Sequence, residues 1–242
     1  MTQRVGVMGG TFDPVHLGHL RVAEEAVEAL GLDTLLFIPA AIPPHKLGRK
    51  ILAFEHRWQM LRLATDPHPR FQASDVEMQL PGKSYTVVTL QKLSELYAGT
   101  TQLFFIAGLD AFLEMDTWWH FHELFALARM VILRRPGYNE SDMSGFLSER
   151  VSSLYSYVAG EACYRHPHLL PVHYLNNTWL DISSTLIRQL VKEGKSIRYL
   201  VLPEVMDYIH TNELYRGDEP FETEPHGSQR ASDGRQSEGY GG

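Results

Sequence analysis

The sequence predicts an α/β fold, a mostly parallel sheet with helices on both faces. Three observations predict it. Short apolar runs of strand length alternate along the chain with longer helical patterns, as β-α units feeding a parallel sheet do. The runs are nearly continuous in apolar residues, as in TLLFI, LFFIA and MVIL, which suits strands covered on both sides. The chain has 242 residues, 44% of them hydrophobic and 21% charged, enough for one medium domain with a sizeable core or two small ones.

Arg4 to Met8 reads as a buried strand running into Gly9-Gly10. Leu17 to Leu30 is a helix, because Leu20, Ala23, Val27 and Leu30 recur at helical spacing with Glu24, Glu25 and Glu28 outward. Gly31 stops it. Thr34 to Ile38 is a second strand, ended by Pro39 and followed by the Pro/Gly-rich loop AAIPPHKLGRK. The pattern then predicts a helix over 56–65 and an alternating, half-buried strand over 71–78. A helix over 84–97 turns Val87, Leu90, Leu93 and Tyr97 inward, and a buried strand over 103–107 runs straight into Gly108. A Trp-rich helical stretch reaches Leu127. Met130 to Leu133 is a strand closed by Arg134-Arg135-Pro136-Gly137. Within 139–165 a helix is expected around 146–157, then a strand over 169–175 and helices over 183–192 and 203–210. Ligands of such sheets bind beyond the carboxyl ends of the strands, near a switch in strand order.

From Gly217 onward no Leu, Ile, Val or Met occurs, so the segment cannot bury enough apolar area to offset its ordering entropy. The expected division is a domain over 1–216 and a disordered tail over 217–242. The net charge of −7 argues against a general nucleic-acid binder, though not against a small phosphorylated ligand. No run of about 18 apolar residues exists, so no membrane span is expected. The apolar stretch at the N-terminus is too short for a signal peptide, and a cytoplasmic location is expected. Cys163 is the single cysteine and cannot form an internal disulfide, which agrees with a reducing compartment.

Two segments stand out chemically. In Gly9-Gly10-Thr11-Phe12-Asp13-Pro14-Val15-His16-Leu17-Gly18-His19, paired glycines let backbone N–H groups approach a phosphate, and the helix start adds partial positive charge. His16 and His19, three apart, share a face if both lie in the first turn, and two imidazoles there can donate to phosphate oxygens. Taken alone, the segment also fits a tight turn before a capped helix with one buried histidine. A zinc site would need a third ligand, which no spacing signals. In Ile182-Ser183-Ser184-Thr185-Leu186-Ile187-Arg188, Ser183 is a natural N-cap, and Arg188 sits one turn in, within reach of a phosphate at the helix start. Plain capping accounts for this segment as well. Further candidates are Lys46 in the stiff Pro43-Pro44-His45-Lys46 loop, Asp110 after Gly108, and the ring-bearing Ser84-Tyr85-Thr86 and Trp118-Trp119.

GGTFDPVHLGH, PPHK, SYT..TL, GLD, RRPG and ISSTLIR occur in that order at the strand ends. On these motifs the chain resembles the bacterial nicotinate-nucleotide adenylyltransferases, of the nucleotidyltransferase superfamily with the (T/H)xGH signature, over residues 4–212. The resemblance implies a Rossmann-like sheet and a reaction joining nicotinate mononucleotide to the AMP part of ATP, with release of pyrophosphate, in NAD biosynthesis. It implies catalytic roles for His16, His19, Lys46 and Arg188. It implies ATP contacts from Gly10, Thr11, Phe12, His16 and His19, from Gly108 and Asp110 at the ribose, from Ile182 and Ser183 at the adenine, and from Thr185 and Arg188 at the phosphates. Tyr85, Thr86 and Trp118 would frame the nicotinate ring, with N–H donors near Thr86 favouring the acid over the amide. Mg²⁺ would arrive with ATP, with no dedicated metal site in the protein. No nucleic-acid or membrane partner is implied, and the oligomeric state is not legible. The same chemistry on another acceptor, such as nicotinamide mononucleotide or phosphopantetheine, stays open. A non-catalytic nucleotide-binding protein on the same scaffold also stays open, although His16, His19 and Arg188 are all present.

Overall fold

The computed structural model describes residues 2–42, 51–97 and 101–217. Its strands are β1 (Gln3–Gly10), β2 (Thr34–Pro39), β3 (Phe71–Ala73), β4 (Thr101–Gly108), β5 (Arg129–Leu133), β6 (Ser156–Val158), β7 (Cys163–Arg165) and β8 (Val172–Leu175). They form one sheet in the order β3-β2-β1-β4-β5-β8-β7-β6. The six strands from β3 to β8 in that order pair in parallel, and β7 and β6 extend the edge antiparallel.

Successive strand residues point to opposite faces. Met8, Phe104, Ile106, Val131 and Leu133 face one core, shared with α1 (Leu17–Leu30), α2 (Phe54–Thr65), α7 (Ser184–Lys192) and α8 (Pro203–Thr211). Val5, Val7, Leu103, Phe105, Met130 and Ile132 face the other. That second core is shared with α3 (Thr86–Leu96), α4 (Leu109–Leu113), α5 (Phe121–Leu127) and α6 (Glu140–Phe146). The chain runs outward from β1 to β3, then returns to β4 on the other side of β1. Strand order therefore switches between β1 and β4, and the crevice beyond their carboxyl ends is where such a sheet binds ligands. Gly31 ends α1 in the left-handed region, φ 56°, the stop its sequence position signals. Among the described residues no helix is long and apolar enough to cross a membrane.

Four expectations are corrected. The strand expected over 71–78 pairs with β2 only through Ala73, and 76–79 forms a 3-10 turn that carries Val76 and Glu77 inward. The helix expected around 146–157 is absent. Helix α6 starts earlier, because the Asn139 side chain accepts from the Ser141 and Asp142 amides, and the chain then passes through a π-helical turn over 147–151 into β6. The strand expected from 169 begins at Val172, just after Pro171, which has no N–H to donate. The Trp-rich stretch is two helices, α4 and α5, with a 3-10 turn over 115–117 and His120 at φ 53° between them.

Candidate active site

A cleft of about 400 Å³ opens at the β1–β4 switch. Thr11, Asp13, His16, His19, Asp110, Arg135, Trp179, Ile182, Ser183, Thr185 and Arg188 line it. Seven of the site residues expected from the two motifs thus meet around one cavity, although 163 positions separate His19 from Ile182.

His16 is the N-cap of α1 in extended conformation, and its carbonyl accepts from the His19 amide at 2.9 Å. Its own amide donates to His19 Nδ1 at 3.2 Å. In a neutral ring that assignment puts the proton on Nε2, the donor a phosphate oxygen needs. The two rings stack, with centroids 3.7 Å apart. A Cβ on Gly18 would stand 3.0 Å from His16 Nδ1, so glycine at that position is what lets the His16 ring lie there. Phe12, at φ 49°, turns its ring into the core, edge-on to His19. Any ATP contact of Phe12 therefore falls to its backbone.

Burial, with Arg135 adding to it, lowers the His16 pKa to about 4. Burial and then Arg129 lower that of His173 on β8 to about 4 as well. An imidazole in the unfolded chain titrates near ~6.5. Both folded-state values are depressed, so the unfolded chain binds more protons as pH falls below that point. The stability these groups contribute is present above about pH 6.5 and is lost as pH falls toward 4. The melting temperature should drop across that window, and His173→Gln should flatten the drop. Parallel curves for the two proteins would assign the acid loss to other groups.

Helix α7 is fastened onto the β1 motif. Ser183 caps it, accepting from the Leu186 amide at 3.1 Å, and the Ser184 hydroxyl donates to the Pro14 carbonyl at 2.9 Å. Arg188 donates through Nη1 to the Asp13 carbonyl at 2.6 Å and through Nη2 to Thr185 Oγ1 at 3.3 Å. The Asp13 side chain, 4% exposed, stands 3.8 Å from Arg188 Nη1 and accepts from the Tyr215 hydroxyl at 2.8 Å. Burial first, then the Asp13 carboxylate, pushes the Tyr215 pKa upward, so the phenol stays a donor. Tyr215→Phe should cost about 1.5–3 kcal/mol of stability, the range for a hydrogen bond to a charged group. It should also raise the KM for ATP, the substrate that the resemblance implies, since Asp13 stands beside Arg188. Equilibrium denaturation and initial rates check both, and a variant as stable as wild type would leave Asp13 held by Arg188 alone.

Asp110 opens α4 and faces Arg135, Nε to Oδ1 3.2 Å, and the Arg135 guanidinium lies 5.1 Å from the Trp179 ring centre. A Cβ on Gly108 would press on both Asp110 and Arg135, so the absence of a side chain there lets this pair close over the strand end. Tyr85, Thr86 and Trp118 do not line the cleft. Tyr85 and Thr86 stand at the start of α3, and Tyr85 and Trp118 pack against the core on the other face of the sheet. Trp118 packs edge-on to Phe105, and the ring that meets Tyr85, at 5.0 Å, belongs to Trp119, which is 50% exposed. Lys46, with Pro43, Pro44 and His45, lies outside the described residues. The sequence reading passed over Arg135, Trp179 and Tyr215. RRPG at the end of β5 was the available signal for Arg135, and nothing local marks Tyr215.

A cytidylyltransferase-like family model matches residues 7–190. A protein of Geobacter sulfurreducens named as a probable nicotinate-nucleotide adenylyltransferase is 42% identical over 89% of this chain and 99% of its own length. One from Trichlorobacter lovleyi with the same name is 43% identical over 88% of this chain and 99% of its own. The solved Plasmodium falciparum nicotinic acid mononucleotide adenylyltransferase complexed with NaAD shares the fold, with a TM-score of 0.68 and 18% identity over 88% of this chain and 98% of that one. On the family model and these relatives, which match over nearly their whole length, the chain belongs to the nicotinate-nucleotide adenylyltransferases, within the cytidylyltransferase-like family.

Proposed function

We propose that the protein transfers the adenylyl group of ATP to nicotinate mononucleotide, yielding nicotinate adenine dinucleotide and pyrophosphate, a step of NAD biosynthesis. The observation that carries this reading is the stacked His16–His19 pair beside Arg188, at the switch point of a parallel sheet. ATP lies along that cleft. Thr11, His16, His19, Thr185 and Arg188 face its phosphates, Ile182 and Ser183 its adenine, and Asp110 its ribose, with Gly10, Phe12 and Gly108 supplying backbone at the rim. Lys46, which lies outside the described residues, is assigned to the phosphates on the resemblance of its Pro43-Pro44-His45-Lys46 motif alone. Tyr85, Thr86 and Trp118 take the acceptor.

A phosphate oxygen of the acceptor attacks the α-phosphorus in line, the bond to the pyrophosphate oxygen breaks, and pyrophosphate leaves. The attacking phosphate is already ionised at neutral pH, so no general base is needed. Catalysis is positioning plus stabilisation of charge moving onto the leaving group. Asp13 is taken up by Tyr215 and Arg188, and among the described residues no group of three or more His, Cys, Asp or Glu gathers to hold a metal. Mg²⁺ would arrive with ATP as part of the substrate and would share the charge of its phosphates. The catalytic unit ends near Arg216, a boundary supported by the anchoring of Tyr215 on Asp13. A cytoplasmic location accords with the lone thiol of Cys163.

Incubation with ATP and Mg²⁺ plus nicotinate mononucleotide, nicotinamide mononucleotide or phosphopantetheine in separate reactions tests this reading. Mass spectrometry should find nicotinate adenine dinucleotide and pyrophosphate in the first. No dinucleotide there would refute the proposal.

A further inference from the structure

Arg57 of α2 is fully buried, and its guanidinium donates to three carbonyls from three parts of the chain. Nε donates to Leu52 at 2.9 Å, and Nη1 to Thr11 at 3.0 Å and Ala40 at 2.9 Å. Glu77, in the 3-10 turn after β3, is buried too. Its Oε2 accepts from the Ala41 amide at 3.4 Å, and its Oε1 from the Thr89 hydroxyl of α3 at 2.8 Å. The Ala40 carbonyl and the Ala41 N–H belong to one peptide group. That group is held by a cation at its negative end and a carboxylate at its positive end. The next residue continues the seam, for Ile42 and Ser84 exchange hydrogen bonds at 3.0 Å in each direction, one of them through the Ser84 hydroxyl. The Ala40 amide donates to the Gly10 carbonyl at 2.8 Å. A continuous polar bridge thus runs from the Gly10–Thr11 turn through Arg57, one peptide and Glu77 to the helix that opens with Tyr85 and Thr86.

We propose that Arg57 and Glu77 are positioning residues for the transfer, holding the phosphate turn of β1 in register with the acceptor side at α3. The inference rests on the function proposed above. Buried charges are a costly way to fill a core, and apolar groups of equal volume stabilise as well or better, so stability alone does not account for the pair. Geometry does. The turn and the start of α3 lie on opposite faces of the sheet, packed into separate cores, and each core sets only its own side. In-line attack needs donor and acceptor aligned, and a misplacement of about 1 Å costs about 10²-fold. Lysine offers a point charge and cannot reproduce the guanidinium fork. Glutamine offers one accepting oxygen where the carboxylate offers two.

The test compares Arg57→Lys, Glu77→Gln and the double variant with wild type for kcat, both KM values and melting temperature, at a temperature where each is folded. Arg57→Lys should lower kcat about 10- to 100-fold and Glu77→Gln about 5-fold or more, with KM for either substrate changed by less than about 3-fold. The double variant should lose no more than the worse single, because both break one bridge. A purely structural role would lower the melting temperature and leave the kcat of folded protein unchanged, and losses that multiply would mean two separate effects. Either result overturns the proposal. Glu77→Gln keeps its volume and one acceptor, so it remains informative if Arg57→Lys does not fold, and a wild-type kcat in it overturns the proposal by itself. Wild-type turnover is the control: no product there refutes the functional reading, whereas normal variants beside an active wild type refute only the bridge. Hydrogen exchange at the Ala41 amide reads the grip without turnover. It should be about 10-fold faster or more in Glu77→Gln, and an unchanged rate overturns the proposal.

Discussion

Replacing His19 by alanine should lower turnover by about 10²–10³ and leave ATP affinity near wild type, as loss of one preorganised donor does. The His19 ring accepts from the His16 amide at Nδ1, which directs its Nε2–H outward. As the α-phosphorus bond breaks, negative charge moves toward pyrophosphate. A donor whose contact strengthens during that shift speeds the reaction more than it aids ground-state binding. His16→Ala should also slow turnover, less severely, and should lower the melting temperature as well. The His16 ring is 7% exposed and stacked on its partner, so its removal leaves a void beneath His19. Melting temperature, ATP dissociation constant and turnover measured on both variants separate the two roles. Unchanged turnover in both would remove the catalytic reading of the motif.

Nicotinate mononucleotide should be preferred over nicotinamide mononucleotide in kcat/KM by a factor on the order of 10³ or more. The two acceptors differ by a ring carboxylate in place of a neutral amide. Helix α3 begins at Thr86, and the N–H groups of Thr86 and Val87 lie in its first turn, where no intrahelical acceptor exists. Those donors, with the positive end of the helix dipole, suit a carboxylate. An amide would set its own N–H₂ donors against them and leave both sides poorly paired. The Tyr85 and Trp119 rings stand beside this helix start and can shield it from water. Comparable values of kcat/KM for the two acceptors would sink the acceptor assignment and leave the fold and the family untouched.

Helix α1 could be read almost to the residue, because Leu20, Ala23, Val27 and Leu30 repeat at its own period and Gly31 stops it locally. Ser183 as the cap of α7 was legible for the same reason, a hydroxyl followed three residues later by the amide it accepts from. The stretch 139–165 was not. Its edge strands β6 and β7 are three residues each, too short to carry a period, and they exist only because β8 offers an unpaired edge. Within the site, His16 and His19 were legible from the glycine turn after β1, and Arg188 from the hydroxyl-rich start of α7. Trp118 and Trp119 are equivalent in sequence, and only packing against Phe105 sends the first one inward while the second stays half exposed.

The sequence by itself determined what depends on neighbours within a turn or two: the alternation of strands and helices, the glycine turn after β1, and the capped start of α7. Tertiary structure alone decided the partners. Arg135 meets Asp110 across 25 positions, Arg57 meets Thr11 across 46, and Tyr215 meets Asp13 across 202. A buried polar group must find a hydrogen-bond partner. Which partner it finds depends on which segment the strand order carries alongside, and no spacing within one segment encodes that order.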